Sequence, residues 1–132
     1  MTGLDTIVLV RYLVKDDMKQ AQLAAENIRR ITAEGESCYI NHMMMCELVW
    51  ILESAYGYDK KTIGDMLEII LTTKQLEVES KDVVRQAVHD YLNGNGDLAD
   101  HLIGRINQDQ GCSHTITFDR VLKNASGFLV LE

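Results

Sequence analysis

Gly3-Leu4-Asp5-Thr6-Ile7-Val8-Leu9-Val10 is an apolar run broken by a single acid, close to the start of the chain. Read as a strand over residues 2–8, it enters a core as buried parallel strands do, in a nearly unbroken aliphatic stretch. A carboxylate buried in such a run costs several kcal/mol unless a cation meets it. Two readings of Asp5 stay open. It caps a short helical turn over residues 8–14, or it stands at the carboxyl end of a central strand, where open α/β sheets place their ligands.

Outward from this stretch, helical and strand patterns alternate. Asp16-Asp17 caps an amphipathic helix in which Met18, Ala21, Ala24, Ala25, Ile28 and Ile31 recur at helical spacing up to Gly35. Cys38-Tyr39-Ile40 reads as a strand, and Asn41 caps a helix from His42 to Tyr56 that Gly57 stops. Asp59 opens a helix to Leu71, residues 76–79 alternate as an edge strand, and Ser80 caps a helix to Leu92. Asn93-Gly94-Asn95-Gly96 is the clearest break. After it come a helix over residues 97–108, a strand over 114–118, a short helix over 119–124 and a last strand over 128–131. This alternation predicts one α/β domain over residues 1–132, a three-layer α/β/α sandwich around a mainly parallel sheet of about five short strands.

The 132 residues, 46% of them hydrophobic, suffice for a proper core. No apolar run is long enough to span a membrane and no stretch reads as a signal peptide. Cys38, Cys46 and Cys112 are odd in number and lack metal-site spacing, which reads as reduced thiols in a cytoplasmic protein. The histidines are scattered, which argues against zinc. A net charge of −7 taken alone argues against nucleic acid. Carboxylates gathered around a metal would account for much of that charge, and bound cations would reverse the potential locally.

Where the acids fall therefore matters. Met43-Met44-Met45-Cys46-Glu47-Leu48-Val49-Trp50-Ile51-Leu52 reads as a helix apolar all round and hence buried, with Glu47 at its centre. The plain alternative for Glu47 is a salt bridge to a neighbouring element. Asp97 and Asp100 share one face of a first turn, and by themselves suit a capping box. Asp119 follows a strand and precedes a short helix, the same order as at Asp5, and it too could be only a cap. In a parallel sheet these acids emerge at one edge, where close carboxylate pairs repel by about 4 kcal/mol at an effective dielectric near 20. Cations make such a cluster tolerable, and ligands that are all oxygen select Mg²⁺ or Mn²⁺.

These residues resemble the PIN-domain ribonucleases, and specifically the VapC toxins of bacterial toxin–antitoxin pairs. The resemblance runs through Leu4-Asp5-Thr6 with residues 8–13, through Cys46-Glu47-Leu48-Val49-Trp50-Ile51-Leu52, through Asp97-Leu98-Ala99-Asp100-His101-Leu102-Ile103, and through Thr117-Phe118-Asp119-Arg120. It covers almost the whole chain in the family's order. It implies a metal-dependent endoribonuclease that leaves a 3′-hydroxyl and a 5′-phosphate, a homodimer, and a VapB-like antitoxin that blocks the site. Asp5, Glu47, Asp100 and Asp119 become the catalytic set. Asp5, Asp100 and Asp119 hold Mg²⁺ or Mn²⁺ with Asp97 accessory, and Glu47 binds metal or orients the water. Arg11, Lys15, Arg105 and Arg120 are candidates for RNA phosphates. One position departs from the family: Ile7 stands where an Asn is usual, and an isoleucine cannot hold a neighbouring carboxylate. The alternative is a catalytically impaired PIN-fold module that binds antitoxin or RNA without efficient cleavage. A phosphotransfer receiver domain also clusters acids at strand ends, but requires a Lys on a late strand that is missing here.

Overall fold

The opening acid ends a strand and starts a helix within three residues. In a computed structural model describing Met1–Glu132 throughout, β1 is only Thr2–Gly3 and α1 runs from Thr6 to Val14. The strand expected over residues 2–8 is thereby corrected, because residues 7–10 are helix interior. Asp5 keeps extended backbone angles and its carboxylate accepts the Thr6 N–H at 2.8 Å, satisfying one of the donors that a helix start leaves unpaired. Thr6, Leu9 and Val10 are buried while Ile7 is 45% exposed. That is a spacing of three and four, not two. A short aliphatic run fits either period, so the run alone could not decide.

α2 (Met18–Ala33), β2 (Cys38–Ile40), α3 (His42–Ser54), α4 (Lys60–Thr72) and β3 (Leu76–Val78) complete a first unit, Met1–Glu79. Its strands run parallel in the order β1-β2-β3, which leaves β3 at an edge as expected. Asp17, Asn41 and Asp59 cap their helices by accepting the N–H of Gln20, Met44 and Thr62. Leu9, Ile40, Met45, Leu48, Leu52, Ile63 and Leu67 are fully buried, each contributing about 1.5–3 kcal/mol of apolar burial. α1 packs on α2 and on α3.

α3 is not buried all round. Met44, Met45, Leu48, Val49 and Leu52 face the core, whereas Met43 and Trp50 are 80% and 67% exposed and Glu47 is exposed between them. Positions 43, 47 and 50 lie along one helix face. Because both faces are apolar in composition, the sequence pattern concealed which one meets water.

The second unit, Ser80–Glu132, holds α5 (Lys81–Asn93), α6 (Leu98–Asp109), β4 (Thr115–Thr117), a 3₁₀ turn (Arg120–Leu122) and β5 (Phe128–Val130). β4 and β5 pair parallel in a ladder of their own, so the five short strands are grouped as three and two. α5 packs along α6, burying Val84, Ala87, Tyr91, Leu98 and Leu102. Gly104 lets α6 approach β5: a Cβ there would lie 2.7 Å from the Phe128 ring. Ser80, expected to cap α5, makes no side-chain cap bond and has φ 45°. The three cysteines are free, with Cys38 buried and Cys112 exposed. No helix is long and apolar enough to cross a membrane.

Candidate functional site

Parallel register fixes what stands at the strand ends of the first unit. Gly3 pairs with Tyr39 and Tyr39 with Glu77. Two residues beyond each of these come Asp5, Asn41 and Glu79. The ladder is carried past the strands by Leu4 N–H to the Tyr39 carbonyl at 3.2 Å and Glu79 N–H to the Ile40 carbonyl at 2.8 Å. Asp5 thus stands at a strand's carboxyl edge and also caps α1. The capping reading holds, while the strand it ends is an edge strand and not the central one expected.

Glu79 is the residue that sequence reasoning missed. Its carboxylate accepts the His42 N–H at 2.9 Å, and the His42 ring donates from Nε2 to the Glu79 carbonyl at 2.9 Å. The ring's Nδ1 lies 3.6 Å from the same Glu79 carboxylate. These contacts fix the first residue of α3, the helix that carries Glu47. As the end of an alternating edge strand, Glu79 gave no signal beyond ordinary surface charge.

In the second unit Asp119 repeats the pattern of Asp5. It lies two residues beyond the end of β4, its N–H donates to Thr117 Oγ1 at 3.0 Å, and its carboxylate accepts the Val121 N–H at 3.1 Å. Asp97 caps α6, and its N–H donates to Asp100 Oδ2 at 3.0 Å, the returning arm of a capping box. Gly96 brings these two segments together. A Cβ there would lie 2.9 Å from Leu122 Cδ2 and 3.3 Å from Asp100 Oδ2, so Asp100 and the turn that Asp119 starts meet at one corner.

None of the ion pairs involves Asp5, Glu47, Asp97, Asp100 or Asp119. The salt-bridge alternative for Glu47 is thereby removed, as is the idea that each acid is neutralised by its own Lys or Arg. Capping accounts for one oxygen of Asp5, Asp100 and Asp119, and leaves the remaining lone pairs free. Asp5 and Glu47 belong to the first unit, the other three to the second. Within neither unit does a group of three or more His, Cys, Asp or Glu stand arranged around a metal position. Each of these acids offers oxygen donors only, the kind that hard divalent cations take.

The basic candidates divide sharply. Arg105 Nε and Nη2 bind both Asp90 oxygens at 2.6 and 3.0 Å, and its Nη1 binds Gln108. Hydrogen bonding to Asp90 holds this guanidinium even more firmly protonated than usual. Arg11 is engaged with Gln20 and Tyr56 and lies 3.5 Å from Asp16. The Tyr56 hydroxyl, donating to Asp16, has its pKa pushed up by that bond. Lys15 and Arg120 are exposed and form no ion pair, so they are the two cations of the candidate set still open to a phosphate.

No family model matches the chain. A VapC ribonuclease of Aquifex aeolicus (strain VF5) is 27% identical to it over 123 residues, covering 93% of this chain and 90% of that protein. This similarity over nearly the full length of both chains supports a VapC-like family.

Proposed function

We propose that this chain is a metal-dependent endoribonuclease of PIN type, the toxin of a bacterial toxin–antitoxin pair. The observation that carries the reading is four carboxylates at helix starts, Asp5, Asp97, Asp100 and Asp119, and a fifth, Glu47, on the exposed face of α3, none of them ion-paired, in a chain similar to a VapC ribonuclease. Asp5, Asp100 and Asp119, with Asp97 accessory, would hold Mg²⁺ or Mn²⁺, which when bound lowers the pKa of water and offsets charge developing on the scissile phosphate. Glu47 orients the attacking water from the exposed face of α3. Lys15 and Arg120 steer the backbone of an unpaired RNA strand toward the acids. Water adds to phosphorus and the bond to the ribose 3′-oxygen breaks. That oxygen leaves with a proton as a 3′-hydroxyl, and the 5′-phosphate stays on the other fragment. A VapB-like antitoxin would cover the acids, and the working form would be a cytoplasmic homodimer.

The relative's being a ribonuclease favours turnover over a purely binding module. Ile7 is half exposed, and its aliphatic side chain has no polar atom to support Asp5. The test is cleavage of a single-stranded RNA with Mn²⁺, with EDTA as the control. Cleavage that Asp5→Asn abolishes and Ile7→Asn accelerates is the expected result. An absence of cleavage in the original chain and in Ile7→Asn alike would overturn the nuclease reading.

A further inference from the structure

A pocket of about 330 Å³ opens in the second unit beside the acids, not among them. One wall is residues 93–95, immediately ahead of Asp97. The other is Val121 with residues 124–126, immediately behind Asp119, and His101, only 3% exposed, closes the base. The walls meet at Gly96, whose φ of +96° and contact with Leu122 leave no room for a side chain.

The lining selects against charge. It contains no Lys or Arg, so nothing there would hold a phosphate. Its one carboxylate, Asp90, is already taken by two bonds from Arg105. His101 Nε2 is spent on the Asn95 carbonyl at 2.6 Å, and its ring meets Phe128 edge-on. The Asn95 and Asn124 carboxamides have no hydrogen bond inside the chain. Each offers one acceptor and two donors. The Ser126 hydroxyl and the Asn93 carboxamide, whose nitrogen donates to the His89 carbonyl, complete the polar lining. The exposed His89 ring adds a stacking face. The complement is an uncharged planar ring with donors and acceptors on its edge. Unpaired RNA bases are recognised through such edge contacts, with stacking on rings that include histidine.

We propose that this pocket binds one unpaired nucleobase and so sets base preference beside the cut. The second half of that statement rests on the nuclease reading; binding itself does not. Two-dimensional NMR of the full chain in EDTA, titrated with adenosine, guanosine, cytidine or uridine, separates the two. Saturable shifts of the Asn95 and Asn124 side-chain amides with one nucleoside over the others are expected. About a tenfold or greater weakening is expected in Asn124→Leu, with the thermal unfolding midpoint unchanged because Asn124 is exposed. Cleavage-site sequencing of a randomised RNA should then show the preferred base lost in that variant. The proposal is overturned if no nucleoside shifts these amides, if nucleosides still shift the backbone amides of residues 93–95 and 124–126 with unchanged affinity in Asn95→Leu/Asn124→Leu, or if that double variant cuts with unchanged preference. Nucleoside binding without any RNA cleavage would sink the nuclease reading and leave the pocket standing.

Discussion

Replacing Asp5, Asp100 and Asp119 in turn by Asn and by Ala separates capping from chemistry. Each side chain now accepts one backbone N–H at 2.8–3.1 Å. At the N-cap positions 5 and 119 Asn is as good a cap as Asp, whereas Ala loses about 1 kcal/mol. At Asp100, the third residue of α6, Asn likewise keeps an acceptor for the Asp97 N–H, and Ala loses that bond at a cost of about 1 kcal/mol. For a chain of this size that is about 4 °C in melting temperature. The Asn variants should therefore melt within a degree or two of the original, and the Ala variants about 4 °C lower. If the carboxylates hold a cation, Mn²⁺ at one hundred times its dissociation constant adds about 2.7 kcal/mol to the original chain, roughly 10 °C. Each Asn variant should lose most of that rise together with RNA cleavage. Differential scanning calorimetry with and without Mn²⁺ reads both quantities on the same samples. Asn variants that cut RNA and respond to Mn²⁺ like the original, while the Ala variants only melt lower, would reduce these acids to caps.

Gly104→Ala gains about 1 kcal/mol of helix propensity but places a methyl 2.7 Å from the Phe128 ring, an overpacking cost of about 1–3 kcal/mol. Urea denaturation should show net destabilisation, and the sign should reverse in a Phe128→Ala background. Arg105→Ala removes two charge-assisted bonds and leaves Asp90 half-buried without a cation. The expected cost is about 2 kcal/mol, below that of a fully buried pair because both partners are partly exposed. Asp59 accepts the Thr62 N–H, which holds its carboxyl below the usual range. A depressed folded-state pKa gives stability that is present above the unfolded value and lost as pH falls through the folded one. Asp59→Asn, capping without titrating, should flatten that acid-side loss in pH-dependent urea midpoints. An unchanged pH profile would contradict the assignment.

Helix starts marked by a short polar residue ahead of a periodic apolar face were legible, as at Asp17, Asn41 and Asp59, because capping is local chemistry. So was the shared order of strand, acid and helix at Asp5 and Asp119. Residues 7–10 were misread because four aliphatic residues in a row carry no period. Glu47 was placed in a buried helix because Met43 and Trp50 look like core residues, yet nothing in the first unit covers that face. The engagement of Arg11 with Tyr56 and of Arg105 with Asp90 joins residues 45 and 15 positions apart, which no local pattern reveals. Gly104, inside α6, carries no local signal of its role. Its reason is a ring from a strand more than twenty positions away.

Trp50 is the chain's single tryptophan, and it lies in water one helical turn from Glu47, on the same face. Its emission therefore samples the surroundings of that acid and of no second indole. Paramagnetic Mn²⁺ near Glu47 would quench it, and an antitoxin laid over the face would shift it to the blue. The molecule carries its own optical gauge of what arrives at α3, with no label to attach.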